Sequence, residues 1–271
     1  MILLRKAFEK LNIDYSKIGF YDSLEFIENE RLDPKFLEKY AEYVSKKDLT
    51  RDYISKAYVE IPFIAKLLNE ELIKDGRLGA CIDISIILTR ILEKEGYWNY
   101  QTKGSLTIKF PKKSNIKTLH FWSVDFGEFN AGHSWIVAPP FTIIDLAVKQ
   151  QVFKNGQEKH IPNFICSASK KTTSISDIDI ISPEASAYFD LNGITKNKLL
   201  HVRNDFYEFI KKFPPIEAVD NQLILKYITT GISAPDQPLE KVATLNLNGK
   251  FGYEIYNDVI KPKLVEFRRA L

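Results

Sequence analysis

Of the two cysteines in this chain, Cys81 is the one placed for chemistry. It ends the run Arg77-Leu78-Gly79-Ala80-Cys81 and opens an apolar stretch of helical periodicity, so it occupies a helix start behind small residues. Unpaired N–H groups and the dipole at a helix N-terminus favour the thiolate, the reactive form of the side chain. The same N–H groups can hold the oxyanion formed when a thiolate attacks a carbonyl. A nucleophile needs a base, and the base needs a group to orient it. His133, in Gly132-His133-Ser134-Trp135, begins a strand-like segment, and Asp145 closes Thr142-Ile143-Ile144-Asp145. If these segments form a hairpin turning at Ala138-Pro139-Pro140, Val137 pairs with Phe141, Trp135 with Ile143 and His133 with Asp145. Directly opposed residues have Cβ atoms about 4.5–5.5 Å apart, close enough for a carboxylate to hold an imidazole N–H. An aspartate ending an apolar strand is costly unless paired or in water. Taken singly, Cys81 also reads as a small buried hydrophobe and His133 as a structural histidine. Their order, with Asp145 on the following strand, predicts acyl chemistry through a thioester on Cys81.

The elements that must position these groups are legible around them. Ile84, Ile87, Leu88, Ile91 and Leu92 recur at helical spacing before Gly96, which predicts a buried helix over 81–96. The first 76 residues read as helical. Asp33-Pro34 precedes Phe36, Leu37, Tyr40 and Val44, and a second stripe runs from Ile54 to Leu72, with Pro62 predicting a kink or break. After the Cys81 helix the period changes to two, giving strands at 104–110, 119–126, 133–137 and 141–146. A Ser-, Thr- and Lys-rich stretch at 168–176 reads as a loop, and helices are expected at 195–212, 219–230 and 252–270. The predicted class is α+β, with a buried catalytic helix packed on an antiparallel sheet. Three regions follow: helical 1–76, the helix-plus-sheet core 77–168, and a mostly helical C-terminal extension 169–271.

The set Gly79-Ala80-Cys81, His133-Ser134-Trp135 and Asp145 resembles the transglutaminase-like superfamily of papain-like thiol enzymes. The resemblance covers residues 76–150 and implies a papain/transglutaminase-like core with a Cys81–His133–Asp145 triad. The activities it implies are proteolysis, deamidation and acyl transfer on a protein, peptide or small amide. In transglutaminases proper an aromatic ring outside the triad assists the oxyanion, and Trp122 is the candidate for that role. No acidic run matches the calcium sites of animal transglutaminases. Arg77, Gly79 and Cys81 also resemble the arylamine N-acetyltransferases, which would bring acetyl-CoA as donor. Leu78, Asp83 and Ser85 depart from that second pattern, which has Gly, Glu and Asn there. A third reading is a papain-like scaffold that has lost catalysis and only binds.

Gly79, His120, Trp122 and Trp135 are the further candidates for the substrate pocket. Asp83, in the first turn after Cys81, would oppose a thiolate and is expected to point away. His160 and His201 stand in polar surroundings and read as surface groups, and Cys166 as a strand residue. Two cysteines far apart make neither a disulfide framework nor a zinc motif, and no phosphate-binding loop or paired acidic site occurs, so neither cofactor nor metal is expected. In 271 residues the net charge is only +3, with Lys and Arg interleaved among Asp and Glu, which argues against nucleic acid. No apolar run approaches the roughly 18 residues that span a bilayer. A cytoplasmic location without membrane partners is the expectation.

Overall fold

The computed structural model describes residues 1–126, 132–154 and 156–270. Four helices build the first part: α1 (Ile2–Lys10), α2 (Leu24–Leu32), α3 (Phe36–Lys46) and α4 (Arg51–Asp75). Ser23 and Thr50 cap α2 and α4 by accepting the N–H groups of Phe26 and Tyr53. Gly76, at φ 72°, ends α4. Pro62 lies inside α4, which runs across it without the expected break. α5 (Cys81–Lys94) follows, and Gly96 at φ 87° turns the chain toward the sheet.

The strands are β1 (Tyr100–Lys109), β2 (Leu119–Phe121), β3 (His133–Ala138), β4 (Phe141–Asp145) and β5 (Ile165–Ser167). Then come α6 (Pro183–Leu191), α7 (Lys198–Val202), α8 (Phe206–Lys212), β6 (Ile216–Asp220) and β7 (Leu223–Ser233). A small hairpin of β8 (Asn246–Leu247) and β9 (Lys250–Phe251), α9 (Gly252–Ile255) and α10 (Lys261–Ala270) complete the chain. The fold is α+β: a mostly antiparallel sheet between helical N- and C-terminal regions.

Three expectations require correction. Residues 219–230 are not helical but lie in the β6–β7 hairpin, whose two-residue turn puts Asn221 and Gln222 at φ 45° and 71°. Left-handed conformation at both turn positions matches strand twist. Much of β7 is buried on both faces, so polar residues do not mark every second position. The strand expected over 119–126 stops at Phe121, with Val124 making only a bridge to Ile181. The helix expected over 195–212 is two, α7 and α8.

The sheet order is β5-β4-β3-β1-β7-β6, with β2 on β1 beyond the end of β3. The sheet therefore crosses the boundary expected at residue 168, because β7 lies beside the central β1. Its outer edges also meet. Just after β5, the Glu217 N–H donates to the Lys171 carbonyl at 2.9 Å, and the Thr173 N–H to the Pro215 carbonyl at 3.2 Å. The sheet thus curls around a core of its own that includes Leu106, Trp135, Ile143, Leu225 and Tyr227. Ile136 and Ile144, on the other face, pack with Ile84, Ile87 and Leu88 of α5. No helix among the described residues is long and apolar enough to cross a membrane.

Candidate active site

Cys81 is the first residue of α5 and is 6% exposed. No side chain caps this helix; Ala80 stands at the N-cap. The approach is bent by Gly79 at φ 74°, a conformation that suits glycine, and its N–H donates to the Gln150 carbonyl at 2.8 Å. The first-turn N–H groups of α5 therefore keep the electropositive end of a buried helix.

His133 opens β3 and is almost wholly buried. Its Nε2 donates to Asp145 Oδ2 at 2.6 Å. That carboxylate, 1% exposed, also accepts the Tyr227 hydroxyl at 2.8 Å and the Ala147 N–H at 3.0 Å. Three donors on two oxygens meet the condition under which a buried carboxylate is tolerated. The other imidazole nitrogen, Nδ1, is buried and has no hydrogen-bond partner of standard geometry among the described residues. Its chemical neighbour is the Cys81 thiol. Burial would lower the His133 pKa, but the charge and hydrogen bond of Asp145, with a contribution from Cys81, raise it to about 10.

The His133–Asp145 contact arises from a register other than the expected one. Ala138 pairs with Phe141 and Ile136 with Ile144, which puts an extra residue into β4. Continued, this register sets Asp145 opposite Trp135 and diagonal to His133. The bulge keeps His133, Trp135 and Asp145 on one face despite the slip. The Trp135 ring lies against His133 (centroids 6.4 Å apart) and against Tyr227 (5.1 Å).

Gln101 of β1 fixes the other side of the site. Its Nε2 donates to Ser134 Oγ at 3.0 Å and to the Ile82 carbonyl at 3.4 Å, joining β3 to the first turn of α5. Neither Gln101 nor Tyr227 has a signal of its own in the sequence. Only the alternation of Leu223, Leu225 and Tyr227 could have placed the tyrosine on a sheet face.

The remaining expected residues divide. Gly79 precedes Cys81 by two residues and the Trp135 ring lies beside His133. His120 and Trp122 stack on each other (5.6 Å) and point elsewhere: His120 Nδ1 meets Thr107 Oγ1 at 3.0 Å, and Trp122 Nε1 donates to the Ile178 carbonyl at 2.7 Å. Alternation along β2 instead turns Phe121 toward His133, with ring centroids 6.1 Å apart. Asp83 is half-buried and forms no hydrogen bond or ion pair with Cys81 or His133 among the described residues. Cys166 lies on β5, where burial pushes its thiol up to about 12, and His160 and His201 are exposed.

An open groove of about 500 Å³ runs past the loop that leads to Cys81, bordered by Ile73, Leu78, Gln150, Val152 and Phe153. Leu78 and Val152 are exposed apolar side chains there. The arrangement offers a buried thiol beside an imidazole held by a carboxylate, and a groove of mixed polar and apolar lining borders the loop that precedes the thiol. No family model, curated protein or solved structure matches this chain.

Proposed function

We propose that the chain is a thiol enzyme with a papain/transglutaminase-like core that performs acyl transfer or amide hydrolysis through a thioester on Cys81. The observation that carries this reading is the division of labour on the His133 ring: Nε2 is held by Asp145 at 2.6 Å while Nδ1 has no other partner among the described residues, with the Cys81 thiol close enough to act on the ring. In this reading the Cys81 thiol gives its proton to His133 Nδ1, and the thiolate attacks the carbonyl carbon of the substrate. The first-turn N–H groups of α5 hold the resulting oxyanion. Collapse of the tetrahedral species breaks the bond to the leaving amine, which takes the proton from His133 and leaves a thioester on Cys81. Water or an amine then gives its proton to His133 and releases the acyl group. Asp145 keeps the ring oriented and offsets the charge of the imidazolium. The groove beside Leu78 suits an apolar flank of a peptide or amide substrate.

The test is iodoacetamide alkylation of the native protein across pH, read by peptide mapping, with Cys166 as internal control. Cys81 is expected to be alkylated quickly near neutral pH, while Cys166 stays silent. His133→Ala should return Cys81 to ordinary thiol behaviour. A Cys81 that is inert, or indifferent to His133, would leave a scaffold that binds without catalysis.

A further inference from the structure

We propose that the cavity behind Trp135 and Tyr227, at the end of the sheet where β3 turns into β4, binds one small amphiphile with an anionic head and an apolar body. A cavity of about 580 Å³ opens there, within the roughly 300–1,000 Å³ of small-ligand sites. Its walls are aromatic: Tyr58, Tyr100, Trp135, Phe141, Phe213 and Tyr227. Trp135, Ile143 and Tyr227 of the sheet's internal core form one wall, while Tyr100 and Phe213 belong to the core shared with the N-terminal helices and Phe141 to the core around α5. Leu49, Ile54, Val137 and Ile143 add aliphatic surface beside these rings, so an apolar chain can be buried there with few polar groups to orient it.

The rim decides the head group. Lys47, Lys170 and Lys212 border the opening, against Asp48 as the only carboxylate. Lys170 and Lys212 are exposed and form no ion pair among the described residues. Lys47 is turned over the Trp98 ring (4.3 Å) and donates to the Tyr43 hydroxyl, so no carboxylate neutralises it either. Cationic groups left unpaired around an apolar well complement a ligand with a single negative charge at one end.

This site is distinct from the groove beside Leu78. It stops at Trp135 and Tyr227, whose far sides meet His133 and Asp145. Binding here does not rest on the thiol chemistry proposed for Cys81.

The experiment titrates the full chain with decanoate and, separately, decan-1-ol, both below aggregation, by calorimetry and tryptophan fluorescence. Decanoate is expected to bind with a stoichiometry of one and about tenfold more tightly than the alcohol, the effect of roughly one complementary charge. The double variant Lys170→Glu/Lys212→Glu, confined to exposed side chains, should abolish that preference while leaving decan-1-ol affinity unchanged. Val137→Trp, which fills the cavity, should weaken both ligands, and the rim variant decides if the filled one fails to fold. Cys81→Ala should bind decanoate as the native chain does. Absence of saturable binding, multiple occupancy, or a preference for decanoate that survives the rim reversal would overturn the proposal.

Discussion

At the residue scale the centre of the site is Asp145 rather than Cys81. It is a charge inside the protein, and it stays there because His133, Tyr227 and Ala147 all donate to it. Tyr227→Phe removes one donor without changing packing, and a hydrogen bond to a charged group contributes about 1.5–3 kcal/mol. The variant is expected to lose stability in that range by urea denaturation and to slow Cys81 alkylation near neutral pH. His133 adds a pH dependence of defined sign. Its folded pKa lies near 10, above the roughly 6.5 of an unfolded histidine. The His133–Asp145 pair therefore stabilises the fold fully below pH ~6.5 and progressively less as pH rises toward ~10. Stability curves of the native chain and His133→Gln should converge over that window. Curves that stay parallel through it would show that the imidazole does not titrate there. Cys81, His133 and Asp145 could be singled out because their types and order are those that the proposed thiol chemistry requires. Tyr227 was not, since a tyrosine within an apolar run looks the same whether it packs or donates.

At the scale of elements, the contact between β3 and β4 was foreseeable but its register was not. Pro139-Pro140 marks the turn, yet the extra residue in β4 shows in no residue type. The same limit applies to β1. At Gly104 a Cβ would stand 2.0 Å from the Ile228 carbonyl oxygen and 2.9 Å from the Trp135 ring, where the register with β7 shifts. Gly104→Ala is expected to cost about 1–3 kcal/mol as an overpacked core substitution and to change Trp135 fluorescence. An unchanged melting temperature and spectrum would mean that the strand pair yields without strain. The helices were easier to read: caps at Ser23 and Thr50 and a terminating Gly76 are local signals, whereas strand pairing depends on partners far along the chain.

For the whole molecule, the C-terminal helix is tied to the two longest helices rather than simply appended. Arg268 donates to both oxygens of Glu60 on α4 and lies 2.8 Å from Glu95, just past α5, while the Tyr97 hydroxyl completes the shell of Glu60. Glu60 is 2% exposed, so removing Arg268 leaves a buried carboxylate with only the Tyr97 hydroxyl and a longer contact of 3.9 Å to Lys56 among the described residues. Arg268→Ala is expected to cost about 3 kcal/mol, read as a lower midpoint in urea, and Arg268→Lys should restore part of it. The α+β class and the helical ends could be read from periodicity. The curling of the sheet could not, because it joins the segment after β5 to β6 across α6, α7 and α8, and neither could the entry of β7 at its centre, which pairs residues more than a hundred positions apart.

That separation sets an order of events during synthesis. A ribosome that has delivered the first two hundred residues has already made the cysteine, the histidine and the aspartate. At that stage β1 still lacks its β7 neighbour, and the aspartate lacks the tyrosine hydroxyl that arrives with it. The nascent chain thus carries all three groups before it can finish the pocket that holds them, and the carboxylate gains its third donor only when β7 pairs with β1.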